Sequence, residues 1–141
     1  RAATMTSGDT EGEIRLNAKA QLKNTENEAV TETASDFELT YTCSKDVMRI
    51  TAKTAQPIKL KTAFVLPIIS PTGELVAQPN PNEITVQKPE GLVSIKANVP
   101  LVIKEIPGER TFNMVPGAEA IPIMAFFEET AKEVEISIEV A

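Results

Sequence analysis

Apolar and polar residues alternate with a period of two along most of the chain. In EIRLNAKAQLKN, residues 13–24, the residues Ile14, Leu16, Ala18, Ala20 and Leu22 fall on one side of an extended backbone. Glu13, Arg15, Asn17, Lys19, Gln21 and Lys23 fall on the other. Successive side chains of a strand point to opposite faces, so this pattern predicts a half-buried β-strand. The same alternation returns in DFELTYTCS (Phe37, Leu39, Tyr41, Cys43) and DVMRITAKT (Met48, Ile50, Ala52). It continues in NEITVQK (Ile84, Val86), LVSIKANVPLVIKEI (Val93, Ile95, Ala97, Val99, then Leu101 and Ile103) and KEVEISIEVA (Val134, Ile136, Ile138, Val140). PIKLKTAFVLPII begins by alternating and then turns fully apolar, while TFNMVP and AIPIMAFF are shorter extended runs.

Between these runs lie SPTGE, QPNPNE, KPEG, IPGE and VPGAE, each with Pro or Gly where a chain reverses. Short strands at regular spacing with turn signals between them predict a sandwich or barrel. The expectation is one all-β domain, a two-sheet β-sandwich of immunoglobulin-like or fimbrial-subunit-like type, with about seven to nine strands. Residues 1–12 (RAATMTSGDTEG) read as a flexible polar lead, residues 13–141 as the domain, and 13–23 as an edge strand or one exchanged between molecules. MAFFEETAKEVE has the composition for two helical turns, but strand is expected over 133–140.

The chain's 141 residues suit a single domain. Its 20 acidic and 14 basic residues give a net charge of −6, which opposes non-specific binding to nucleic acid or anionic membranes. Lys residues occur singly along the strands and never in a run, and no apolar stretch approaches the ~18 residues of a membrane span. Richness in Thr, Val, Pro and Asn predicts a secreted or cell-surface protein whose signal peptide has been removed. The single cysteine, Cys43, shares a face with Leu39 and Tyr41 and reads as a core residue, with an intermolecular disulfide as the alternative.

There is no histidine and no tryptophan. That removes the commonest general base, the commonest metal ligand and every Ser-His or Cys-His nucleophile arrangement. No cofactor or metal site is expected. Glu119, Glu128 and Glu129 come nearest to a carboxylate cluster and read as solvated charge. Phe126 and Phe127 are adjacent, so in a strand they face opposite sides and one becomes a candidate surface contact.

By elimination the expectation is a non-enzymatic structural subunit. The strand carrying Ile14, Leu16, Ala18, Ala20 and Leu22 would add to a neighbour's sheet edge. Head-to-tail addition of this kind does not close, so it would build a homopolymeric filament or a surface assembly with other proteins. In this the chain resembles bacterial fimbrial subunits, which use an N-terminal donor strand on an incomplete sandwich. The likeness is one of architecture, and the usual fimbrial disulfide cannot form with one cysteine. The alternative is a monomeric immunoglobulin-like adhesion module gripping a protein or glycan through the loops around 77–83 and 105–120.

Overall fold

The computed structural model describes residues 4–10, 12–69, 74–103, 120–130 and 132–141. Eleven strands lie among them: β1 (Thr4–Thr10), β2 (Glu13–Gln21), β3 (Asp36–Cys43), β4 (Val47–Lys53), β5 (Ala63–Ile69), β6 (Val76–Asn80), β7 (Glu83–Lys88), β8 (Gly91–Ala97), β9 (Leu101–Ile103), β10 (Ala120–Phe126) and β11 (Glu133–Val140). They form an eight-stranded sheet, ordered β1-β2-β3-β4-β11-β8-β7-β6, and a three-stranded sheet, β5-β10-β9. Every pairing is antiparallel. The all-β, two-sheet architecture is as the alternation predicts. No helix occurs among the described residues, and so none long and apolar enough to cross a membrane.

The core lies between the sheets. The inward residues of the alternating strands (Ile50, Ile84, Val86, Ile95, Val134 and Ile136) meet Leu101, Ile123 and Ala125 of the smaller sheet in one buried cluster. A second, smaller cluster of Ala34, Phe37 and Ile58 joins it through Phe127. There the Phe37 and Phe127 rings sit 5.1 Å apart at 55°. TAKEVE is not helical from 133 onward, because β11 pairs with β4 on one edge and β8 on the other, and its apolar residues Val134 and Ile136 are buried in the core.

Three features depart from the sequence pattern. Residues 4–10, read as part of a flexible lead, form β1 at the sheet edge, paired to β2 over seven positions. Its sequence TMTSGDT has no apolar alternation to announce it. β6, read as a connection, contains Pro79, which a strand tolerates at an edge, and its pairing with β7 shifts register between Ala77 and Asn80. The run 92–106 breaks into β8 and β9 before Pro100.

β2 has neighbours on both sides within its own chain, β1 over seven pairs and β3 over eight. A strand whose N–H and C=O groups are engaged on both edges offers no free ladder to another molecule. Ile14 and Leu22 are exposed, Leu16 and Ala20 half-buried and Ala18 buried, as expected for a strand flanking the core rather than filling it.

Candidate functional site

The cross-strand register gathers side chains that lie far apart in sequence. On the outer face of the eight-stranded sheet, Arg15 of β2, Thr42 of β3 and Arg49 of β4 stand in one row. Asn17, Thr40 and Thr51 form the next, and Lys19, Glu38 and Lys53 the third. Four cations therefore mark the corners of a strip whose centre is Asn17, Thr40 and Thr51. Two strand spacings separate β2 from β4, about 10 Å, and four residues separate the end rows, about 13 Å.

All four cations are exposed. Lys53 reaches Glu38 at 3.6 Å and Arg15 reaches Glu13 at 3.7 Å, both open to solvent and so weakly held. Lys19 and Arg49 make no ion pair among the described residues. The Thr40 hydroxyl donates to Asn17 Oδ1 at 3.0 Å, which fixes the central amide.

The Lys19/Lys53 end opens into a groove of about 780 Å³ lined also by Gln21, Asp36 and Gln56. Gln56 builds its wall. Its Oε1 accepts the backbone N–H groups of Ser35 (2.8 Å) and Asp36 (2.9 Å), and its Nε2 donates to Asp36 Oδ2. Gln21 Nε2 donates to Asp36 Oδ1. Behind it, Thr33 Oγ1 accepts from the Lys59 and Leu60 amides, so the two loops leading into β3 and out of β4 are tied together. A smaller groove of about 300 Å³ runs from Arg49 towards Lys96 and Glu135 on the same face. The surface offers ammonium, guanidinium, amide, hydroxyl and carboxylate groups side by side, a set that hydrogen-bonds sugar hydroxyls and pairs with sugar-borne anions.

Elsewhere the chemistry is sparse. No group of three or more acidic or cysteine side chains is arranged to hold a metal among the described residues. Burial raises the Tyr41 phenol above its ordinary 10.0, because Tyr41 points to the core side of β3. Cys43 is a free, half-buried thiol. Phe126 and Phe127 do face opposite ways. Phe127 packs inward on Phe37, and Phe126 turns outward beneath Lys61 Nζ, 4.4 Å from its ring centroid. Glu119 and the 105–119 part of the second loop lie outside the described residues.

The basic strip is invisible to a reading along the chain. Arg15 and Lys19 belong to one strand, Arg49 and Lys53 to another 34 residues away, and only the pairing of both with β3 aligns them. Their spacing of four within each strand, Arg15/Lys19 and Arg49/Lys53, is the one signal the sequence carries.

Residues 1–141 match the family model described as the ulvan lyase C-terminal domain. The chain is also similar to a protein named broad-specificity ulvan lyase from Formosa agariphila, at 51% identity over 132 residues, which is 94% of this chain and 21% of the relative. It thus spans about a fifth of the length of the curated relative it matches.

These findings overturn the self-assembling fimbrial-like subunit, and with it the strand exchange, filament and adhesion expected from the sequence, including the alternative of a loop-binding adhesion module. They also overturn the expectation of a protein unconnected with an enzyme, since family and relative alike are named for a lyase. A homopolymer of copies finds no support in either comparison. A missing histidine limits what these residues catalyse, not what they are joined to. A secreted or surface location is compatible with this kinship. The chain belongs to the ulvan lyase C-terminal domain family.

Proposed function

We propose that the chain is the C-terminal domain of a larger polysaccharide lyase acting on ulvan outside the cell, and that its cationic strip holds the polymer beside the site of cleavage. The observation that carries this reading is the family match over all 141 residues, reinforced by 51% identity to a named ulvan lyase. A polysaccharide lyase cleaves by elimination: a base removes a ring proton beside a carboxylate and the glycosidic oxygen departs. Its substrate is therefore a polyanion. Arg15, Lys19, Arg49 and Lys53 suit such a chain, and the threonines, Asn17 and Gln21 between and beside them suit its hydroxyl groups.

The net charge of −6 repels a polyanion at a distance. Glu38, Glu133 and Glu135 share the face with the four cations, so the strip acts by direct contact within a Debye length of ~8 Å and not by long-range steering. Signal-directed export belongs to this reading too, because a polymeric substrate does not cross a membrane intact.

The test is an ulvan-cleavage assay of the full-length protein, following the ultraviolet absorbance of the unsaturated sugar end. Appearance of that product is the expected result. An intact polymer after prolonged incubation with a folded full-length protein would refute the assignment.

A further inference from the structure

The cross-strand register continues beyond the four-cation strip. From Arg15 on β2 it passes to Thr42 on β3, Arg49 on β4, Ser137 on β11 and Lys96 on β8, each directly opposite the next. Thr42, Arg49, Ser137 and Lys96 turn outward, because Tyr41, Ile50, Ile136 and Ile95 beside them point to the core. Arg15 shares their side through its pairing with Thr42. The row therefore reads cation, hydroxyl, cation, hydroxyl, cation, at right angles to the strands. Neighbouring strands lie about 4.8 Å apart, so the cations recur about every 10 Å over a length of about 19 Å. Arg15, Arg49 and Lys96 are exposed, and Arg49 and Lys96 make no ion pair among the described residues. Glu83 faces Lys96 from β7, but its Oε2 accepts from Asn80 Nδ2 at 3.0 Å.

β11 sets which way a polyanion can leave the strip. Its Glu133 stands opposite Lys53 and its Glu135 opposite Thr51. The lysine row and the central hydroxyl row thus both end on a carboxylate. The arginine row alone meets a hydroxyl there, Ser137, and then Lys96. Glu139 bounds the far side of Ser137, so the opening between Glu135 and Glu139 spans four residues, about 13 Å. The groove of about 300 Å³ lies on this line, lined by Arg49, Ser137 and Lys96 with Glu135 at its side. Asn98 fixes that side: its Oδ1 accepts the Glu135 N–H at 2.9 Å and its Nδ2 donates to the Glu133 carbonyl at 3.1 Å.

We propose that the acidic polysaccharide crosses this domain at right angles to its strands, over Asn17, Thr40 and Thr51 and then out through the groove of Arg49, Ser137 and Lys96, which makes Lys96 a polymer-binding residue. The inference rests on the reading that the domain holds the polymer for a lyase. Over the strip, the arginine row and the lysine row flank the polymer from its two sides. Past β4 only the arginine row stays open to an anion, and the groove follows it. Cations separated by hydroxyls suit a chain whose anionic groups are separated by ring hydroxyls. A polymer lying along the strands would meet Arg15, Asn17 and Lys19, or Arg49, Thr51 and Lys53, and would never reach Lys96. Lys96 therefore separates the two directions.

The experiment uses the full-length protein and its cleavage of polymeric ulvan. Lys96→Glu removes one exposed contact and introduces a like charge, and should raise KM about 3–10-fold with kcat within about twofold. Lys96→Arg keeps the charge and should stay within about twofold of wild type. Lys61→Glu makes the same charge change beside Phe126 on the smaller sheet and should also stay within about twofold. On the shortest fragments the enzyme cleaves, all three variants should match wild type, since a short chain does not reach from the site of cleavage to Lys96. Equal KM values for Lys96→Glu and Lys61→Glu would overturn the inference. A rise that persists on short fragments, or in Lys96→Arg, would also overturn it by assigning the effect to the fold. Retention of the same proteins on immobilised ulvan, read as the salt concentration that elutes them, separates this inference from the functional reading. An active lyase whose Lys96→Glu variant elutes with wild type removes the track alone. A protein that cleaves nothing, yet elutes earlier as Lys96→Glu and not as Lys61→Glu, removes the lyase reading and leaves the track standing.

Discussion

Gln56 does more for the groove than its place in a loop suggests. One amide accepts two backbone N–H groups at the start of β3 and donates to the Asp36 carboxylate. Replacing it with Ala leaves the Ser35 and Asp36 amides without their acceptor in a partly buried position, at a cost of about 1–3 kcal/mol. Gln56→Ala should lower the unfolding temperature by about 3–10 °C, read by circular dichroism. Tyr41 gives a pH signature of its own. Burial raises its pKa from 10.0, so the fold favours the neutral phenol. Its contribution is fully present below the unfolded value and is lost as pH rises through the higher folded one. Urea midpoints of the wild type should therefore fall between about pH 9 and pH 11 more than those of Tyr41→Phe, which has no phenol to ionise. Equal falls would show that Tyr41 ionises as freely in the fold as outside it.

At the scale of the element, burial separates strands that look alike in sequence. Ile14 opens the most regular alternation of all, yet it is 59% exposed at the end of β2, while Ile95 in β8 is fully buried. Ile95→Ala should cost about 2–5 kcal/mol in a denaturant titration, with its cavity left in the middle of the sandwich. Ile14→Ala should stay within about 0.5 kcal/mol. The β7–β8 turn closes on the chain end. Leu92 N donates to the Ala141 carbonyl and Ala141 N to the Leu92 carbonyl, and a Cβ on Gly91 would overlap that same Ala141 oxygen. Gly91→Ala should accordingly destabilise by about 1–3 kcal/mol in the same titration.

The inner face of each strand was legible because burial imposes a period of two that survives in the residues themselves, as in Phe37, Leu39 and Tyr41 or Val134, Ile136 and Ile138. The fully apolar run AFVLPII keeps no period of two, and in β5 the residues from Ala63 to Ile68 are half-buried on both faces alike. β1 was not legible, since TMTSGDT carries no alternation of apolar residues to mark it. Nor was the strip of Arg15, Lys19, Arg49 and Lys53, because it exists only in the pairing register, and register is a property of strand partners and not of one strand.

For the whole molecule, the strip of Arg15, Lys19, Arg49 and Lys53 lies on the outer face of the larger sheet, away from the core, which is where the proposed function puts the polymer. The reversal variant Lys19→Glu/Lys53→Glu tests the substrate side in the full-length lyase. Both side chains are exposed on the outer face and outside the apolar core, so the fold should persist. Each exposed contact with a polyanion is worth about 0.5–1 kcal/mol, and losing two should raise KM for ulvan about 5–30-fold while kcat stays within about twofold. Salt supplies the physical check. Screening shortens the reach of these charges from ~8 Å at physiological ionic strength to ~3 Å at 1 M, so the gap in KM between wild type and variant should narrow as salt rises. A gap that persists unchanged in high salt would mean the substitutions act through the fold. No gap at any salt would mean the polymer runs elsewhere on the enzyme, and the groove beside Gln56 would lose its claim to it.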